Sequence, residues 1–405
     1  MVRSDSSAPE RRLALALVGT QVRRERDRPR IDELTSRANF PALETFLRDQ
    51  GMLALVGRRL LELTDVAPRS FAERVEEYVS LAQRQGVSQQ MVTLRLIAAL
   101  TDSGVRALAL KGPLLGERIY GCIEARVSAD IDLLVNPGDL VGATEILEGL
   151  GYVRAFGADV FHGTRPDLHE VLHSPDGLPE IELHWRIHWY EKHFSTEMLQ
   201  RAVPGLEGCL CPRGADELIG LLLFYARDGF AGIRLLADVT AWWDRFGEAL
   251  APGEVDELAR THPDIAGAVV TSALMAERLG GLPARQLFDR ATLAKASARA
   301  MRLSNWALRG RYGQIMANTS LIDGLLAPRG QRRELLRRRV WPPRETLFWR
   351  WPEVAREAPR RLRPMWVGHL LLDCGRYAIA LWRTRGDAEW APVPHWLDTR
   401  TADGD

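Results

Sequence analysis

Two carboxylates interrupt the apolar run Ala129-Asp130-Ile131-Asp132-Leu133-Leu134-Val135. The run otherwise reads as a buried strand, and an ionised carboxylate taken out of water costs several kcal/mol unless something pairs with it. Side chains alternate along a strand, so Asp130 and Asp132 share one face while Ile131 and Leu133 point into a core on the other. Side by side, the two charges repel unless a cation sits between them. A hard divalent ion such as Mg2+ suits oxygen ligands of this kind and keeps part of its shell for water and substrate phosphates. The pair therefore reads as a metal site presented to a nucleoside triphosphate. A third acid would complete it. Ile181-Glu182-Leu183 repeats the apolar-acid-apolar pattern, with Glu180 on the same face as the second candidate. Three acids can hold two metal ions that clamp the attacking and leaving oxygens of an in-line phosphoryl displacement. The third acid could also take the proton of the attacking hydroxyl. Asp-x-Asp by itself recurs in turns and at strand ends; the apolar flanks set this one apart.

Lys111-Gly112 follows the short apolar segment Val105–Leu110 and precedes Pro113. A glycine there lets backbone approach a phosphate, and a helix opening at Pro113 supplies N–H groups and partial positive charge. Of 54 basic residues only Lys111, Lys192 and Lys295 are lysine, so Lys111 stands where an arginine-rich chain does not use Arg. It could place a point charge on a triphosphate. The alternative is a solvated lysine in an ordinary strand-to-helix turn.

These residues need elements to position them. Residues 31–104 carry apolar positions at three- and four-residue spacing, a helical pattern punctuated by Pro41 and Pro68 and stopped at Gly104. At 105 the period changes. Residues 105–110 read as a strand, 113–121 as a helix, 131–135 as a strand and 136–151 as a helix. Residues 168–174 and 178–187 read as two strands of a hairpin about Pro175-Asp176-Gly177. The helical pattern resumes near 194. This order predicts an α+β protein, a small mixed-sheet core embedded between N-terminal and C-terminal helical regions. The expected division is 1–30 as a polar lead-in with one short helix, 31–104 helical, 105–192 the sheet core, 193–290 helical, and 291–405 a C-terminal helical extension with an Arg/Pro-rich segment.

Leu110-Lys111-Gly112, an eighteen-residue step to Asp130-Ile131-Asp132, and Tyr120 and Arg126 between them resemble the uncharacterised nucleotidyltransferase family. That family lies within the DNA polymerase β-like nucleotidyltransferase superfamily and is often found beside gene clusters for peptide natural products, lasso peptides included. The likeness continues through Ile181-Glu182-Leu183-His184-Trp185 and through Leu218 to Trp242, with its Ile233-Arg234-Leu235-Leu236-Ala237-Asp238-Val239 segment, and covers roughly residues 30 to 250. It implies Asp130 and Asp132 as the metal-binding pair, Glu182 as the third acid, and Lys111-Gly112 in the place where most of the superfamily carries a Gly-Ser phosphate-holding turn. Arg126 then becomes a phosphate or supporting contact, with a surface salt bridge as its alternative. Where the family often has histidines in the first helix after the core, this chain has Tyr225 and Asp228.

The remaining features are weaker. His184, His188 and His193 invite a zinc reading, but strand geometry puts the first two about 13 Å apart. His184 shares the face of Glu182 and so either lines the site or packs beside Trp185. Trp242, Trp243, Trp349, Trp351 and Trp366 read as packing residues, and Arg329 to Arg339 as a solvated basic helix face. Asp238 suits either the cleft or an interhelical contact.

A net charge of +1 argues against general nucleic-acid or membrane-surface binding. Four cysteines without a zinc or disulfide spacing suit a reducing, cytoplasmic setting. No apolar signal core opens the chain, and the most apolar long stretch, Trp366 to Trp382, contains Asp373 and Arg376.

The expectation is a Mg2+-dependent nucleotidyltransferase with a two-metal site in which Mn2+ can substitute. An NTP is the donor, and a small molecule or peptide supplies the accepting hydroxyl or phosphate; tailoring of a ribosomal peptide follows from the resemblance. The alternatives are a catalytically silent binding or scaffold protein, and glycosyl transfer from a nucleotide sugar at the same metal site.

Overall fold

In the computed structural model the described residues are 9–154, 168–174, 177–230, 232–304, 322–328, 330–333, 337, 340–342, 347 and 351–384. The longest helix shows why the chain folds as it does. Phe71, Val75, Val79, Ala82, Gly86, Gln89, Thr93, Leu96, Ile97 and Leu100 recur at three- and four-residue steps, and all are buried along one stripe of α6 (Arg69–Asp102). Gly104, at φ +81°, turns the chain out of the helix, and the Val105 N–H closes back on the Leu100 carbonyl at 2.8 Å.

Before α6 come α1 (Pro9–Leu17), α2 (Gln21–Arg26), α3 (Arg28–Arg37), α4 (Phe40–Asp49) and α5 (Arg58–Leu63). The sheet region holds β1 (Ala107–Ala109), α7 (Pro113–Tyr120), β2 (Asp130–Val135), α8 (Leu140–Gly149), β3 (Val153–Arg154), β4 (His169–His173) and β5 (Glu180–His184). Then follow α9 (Phe194–Arg201), β6 (Val203–Pro204), β7 (Leu210–Cys211), α10 (Gly214–Arg227), α11 (Arg234–Phe246), α12 (Glu254–Thr261) and α13 (Ala266–Gly280). A last long helix runs Leu362–Thr384.

Among the described residues the strands form one mixed sheet in the order β3-β4-β5-β2-β1-β7-β6. β2 lies inside it, parallel to β5 and antiparallel to β1. One face of β2 carries Ile131, Leu133 and Val135 into a core shared with Leu96, Ile97 and Leu100 of α6 and Leu147 of α8. The other face looks toward a larger core of helical residues that includes Leu134, Phe224 and Leu236.

The α+β expectation is met, with corrections. The stretch before residue 31 is no lead-in with a single helix: it holds α1, α2 and the start of α3. Leu13 and Leu17, one turn apart, are fully buried in the same core as α10 and α13. Residues 31–104 and 193–290 share that core too, so the two helical regions pack as one body around the sheet. The strand expected over 178–187 stops at His184, the one expected over 105–110 shortens to Ala107–Ala109, and β3, β6 and β7 were not foreseen. β6 and β7 are two-residue strands, too short for any periodicity to register. The hairpin turn at Pro175-Asp176, Trp349, most of Arg329 to Arg339 and the chain's last residues lie outside the described residues.

Candidate active site

The site grows from one register. Parallel pairing sets Asp130 against Glu180 and Asp132 against Glu182, so these four acids share the sheet face turned toward the helical core. Antiparallel pairing then sets His169 of β4 against His184 of β5. Gln89 of α6 holds the entry to β2. Its side-chain amide donates to the Asp130 carbonyl at 2.6 Å, and its oxygen accepts from the Ser128 N–H at 3.1 Å. Glu180 is drawn outward, bound to His173 at 2.6 Å with both side chains about half exposed, which leaves Glu182 as the acid beside Asp132.

Asp132 is the electrostatic centre, with its side chain 1% exposed. The Lys111 ammonium donates to its Oδ1 at 2.9 Å, and His184 Nε2 lies 3.0 Å from the same oxygen. Burial alone would raise the Asp132 pKa, but the Lys111 charge and the His184 contact overcome it and hold the carboxyl well below its usual range. Glu182 behaves alike: burial raises it, but the His184 contact at 3.2 Å and the nearby His169 bring it below its ordinary value. Both acids are therefore ionised at neutral pH. Lys111 is thus neither solvated nor free; it is seated on Asp132 and over the Phe224 ring, 4.4 Å from the centroid. Gly112, at φ +83°, adopts a backbone conformation that an L side chain rarely takes, and a Cβ there would meet open space.

His184 is fully buried, and neither His188 nor His193 joins it in a metal-capable group among the described residues. The strand ends at His184, and His188 is a buried ring beside Tyr190, neither of its nitrogens having a hydrogen-bond partner among the described residues; burial drives it down to about 3. The histidine that does approach is His169, its ring centroid 4.7 Å from that of His184. Among the described residues His169, Glu182 and His184 form a potential metal-binding group, with one donor atom from each lying within 4.8 Å of the others. His169 was missed because its alignment depends on the length of the hairpin connection, which spacing alone does not fix.

The opposite wall is α10 and the start of α11. Phe224 packs edge-on to His184 at 6.3 Å, and the Arg227 guanidinium lies 4.7 Å from the Phe224 centroid. Arg227 Nη1 is buried without a hydrogen-bond partner among the described residues. Arg234 donates to the Val127 carbonyl, and burial together with the Arg126 charge brings its guanidinium down to about 10. Arg227 is marked by no pattern in the sequence, and Arg234 stands there only as part of the Ile233-to-Val239 segment that carries the resemblance, with no role of its own.

Arg126 is 3% exposed and donates to Asp238 Oδ2 at 2.8 Å, so its ion pair is buried rather than on the surface. Tyr120 donates to the other Asp238 oxygen at 2.9 Å. Asp238 therefore ties α11 to α7 and the turn before β2. Tyr225 is buried in the helical core, and Asp228 is the residue after α10, 3.6 Å from Arg227. Trp242 is a packing residue as expected, donating to Glu217 at 2.7 Å.

The donor set fits a divalent cation. Asp132 Oδ2 is buried with no hydrogen-bond partner among the described residues, an orphaned acceptor among ionised carboxylates. No helix among the described residues is long and apolar enough to cross a membrane. A family model described as "Uncharacterised nucleotidyltransferase" matches residues 36–281, well over half of the chain. No curated protein matches it.

Proposed function

The chain belongs to the uncharacterised nucleotidyltransferase family, and on that premise we propose that it moves a nucleotidyl group from an NTP to a hydroxyl or phosphate acceptor. The observation that carries this reading is the register that sets Asp132 beside Glu182, with Asp130 on the same face. In this reading Asp130, Asp132 and Glu182 hold a divalent cation, Mg2+ or Mn2+. When bound, such an ion supplies charge neutralisation at the reacting phosphate and orients the attacking oxygen. The lowered pKa values of Asp132 and Glu182 keep both carboxylates anionic, which suits them as ligands more than as proton acceptors. Lys111, freed from Asp132, would meet the triphosphate from the β1–α7 turn, with Gly112 and the first N–H groups of α7 beside it. Arg227 and Arg234 supply further positive charge from the helical wall. The fully buried Arg126 contributes by fixing that wall through Asp238. The acceptor is a small molecule or a peptide, and peptide tailoring rests on resemblance alone.

One observation favours a second reading. Lys111 already neutralises Asp132, as it would in a catalytically silent binding protein that keeps the fold. The two separate on pyrophosphate release from an NTP with Mg2+ or Mn2+ and a panel of hydroxyl and phosphate acceptors. Wild type is expected to release pyrophosphate, and the double variant Asp130→Ala, Asp132→Ala to lose the activity while staying folded by circular dichroism. Equal release from both, or none from either, removes the catalytic assignment.

A further inference from the structure

His184 poses a problem of hydrogen-bond chemistry. Its Nδ1 lies 3.3 Å from the Arg186 carbonyl, which only accepts, so Nδ1 carries the proton. Nε2 faces two carboxylate oxygens, Asp132 Oδ1 at 3.0 Å and Glu182 Oε2 at 3.2 Å. The Lys111 ammonium, 2.9 Å from Asp132 Oδ1, serves one of these oxygens and leaves the Glu182 side of the cluster without a fixed cation among the described residues. A second proton on His184 would serve the two oxygens but would leave two neighbours stranded. Those are Asp132 Oδ2 and His169 Nδ1, both buried and without a hydrogen-bond partner among the described residues. A metal ion at this edge would partner Asp132 Oδ2, and His169 already brings its Nε2 to 3.7 Å from Glu182 Oε1. The backbone carbonyl on Nδ1 is also the kind of support that orients a ligating imidazole and fixes its tautomer.

We propose that His169, Glu182 and His184 form a mixed imidazole–carboxylate cation site, with Asp132 as a fourth donor, that takes Mn2+, Co2+ or Zn2+ in preference to Mg2+. The two imidazoles carry the selectivity: nitrogen donors strengthen binding along the first-row series, whereas Mg2+ is satisfied by oxygen alone. The acids of β2 and β5 then serve two kinds of ion. Asp130 and Asp132 offer an all-oxygen edge, and the His169–His184 edge is nitrogen-rich. The inference deepens the nucleotidyl-transfer reading, since it concerns the same sheet face, but it is tested without turnover.

The experiment uses untagged, chelator-stripped full-length protein. Calorimetry measures Mg2+, Mn2+ and Co2+ binding, and visible absorption follows Co2+. Co2+ and Mn2+ are expected to bind at least tenfold more tightly than Mg2+, with Co2+ giving the d–d bands of a nitrogen-containing shell. His169→Gln, at a partly exposed position, is expected to weaken Co2+ at least tenfold and leave Mg2+ unchanged. Glu180→Gln, on the same sheet face but paired with the exposed His173, serves as the control and is expected to change neither. Thermal melts confirm that each variant is folded. Equal affinity for Mg2+ and Co2+ overturns the proposal, as does a folded His169→Gln that binds Co2+ like wild type. Histidine-dependent Co2+ binding without NTP turnover sinks the nucleotidyl-transfer reading alone; Mg2+-supported turnover without histidine-dependent binding sinks the cation site alone.

Discussion

At the scale of single residues, the site is a set of charges that neutralise one another at close range. Asp132 sits between Lys111 and His184, and its low pKa follows from them. Replacing it with asparagine keeps the shape and removes the charge. The expected result is a loss of NTP turnover of at least about 10–100-fold, the range for groups one shell further from a metal. Steady-state turnover beside a thermal melt reads this out, and a melt that changes while turnover does not would make Asp132 merely structural. Glu191 illustrates the opposite case. It is buried, and desolvation pushes its carboxyl up to about 8 even though Ser195 and the Ile187 N–H donate to it. Its folded-state pKa lies above the unfolded value, so its contribution to stability is present below about 4.5 and is lost as pH rises toward about 8. Glu191→Gln keeps the acceptor and is expected to melt higher at pH 8, by about 1–3 kcal/mol in stability, and to flatten the pH dependence across that window. Melting curves at pH 5 and pH 8 test the sign.

At the scale of elements, the helical wall is held to the sheet by buried polar ties. Asp238 binds both Arg126 and Tyr120; Asp238 and Arg126 are buried, and Tyr120 is partly so. Asp238→Ala strands the Arg126 charge and is expected to cost about 3–5 kcal/mol, measured by denaturant unfolding. Gln89 does comparable work from α6, bridging Ser128 and Asp130, so Gln89→Ala should lower turnover more than it lowers the melting temperature. How much of this the chain disclosed depended on the range of each interaction. Alternation in Asp130–Val135 and in Glu180–His184 put the acids on one face, because the period of a strand is local. The pairing of β2 with β5 could be guessed only from the repeated apolar-acid-apolar pattern, and the seat of Lys111 on Asp132 not at all. Arg126 and Asp238, each the other's partner, lie 112 residues apart. No spacing rule reaches that far, which is why Arg126 read equally well as a phosphate contact or a surface salt bridge. His169 was hidden by a turn whose length sets the register.

At the scale of the whole molecule, the helical regions on either side of the sheet make one wall. α1 belongs to it: Leu13, Leu17 and Val18 are fully buried, the Thr20 N–H donates to the Gly280 carbonyl at 2.7 Å, and Thr240 donates to the Val18 carbonyl at 2.6 Å. Removing residues 1–19 strips several kcal/mol of apolar burial at roughly 1.5–3 kcal/mol for each large side chain. The truncated chain is expected to melt many degrees lower or to fail to fold, as circular dichroism would report. In the sequence this segment resembles a lead-in because arginines dominate its composition, while its buried stripe is only one short helix long.

The most direct test of the central claim follows the two ends of the triphosphate. The protein is incubated with Mg2+ or Mn2+, an acceptor panel, and NTP labelled in parallel at the α- or the γ-phosphate. Nucleotidyl transfer through Asp130, Asp132 and Glu182 predicts that the α label moves onto the acceptor while the γ label leaves in pyrophosphate, and that both signals vanish in the Asp130→Ala, Asp132→Ala variant. Transfer of the γ label to the acceptor, or an α-label transfer that survives in the double variant, would contradict the account.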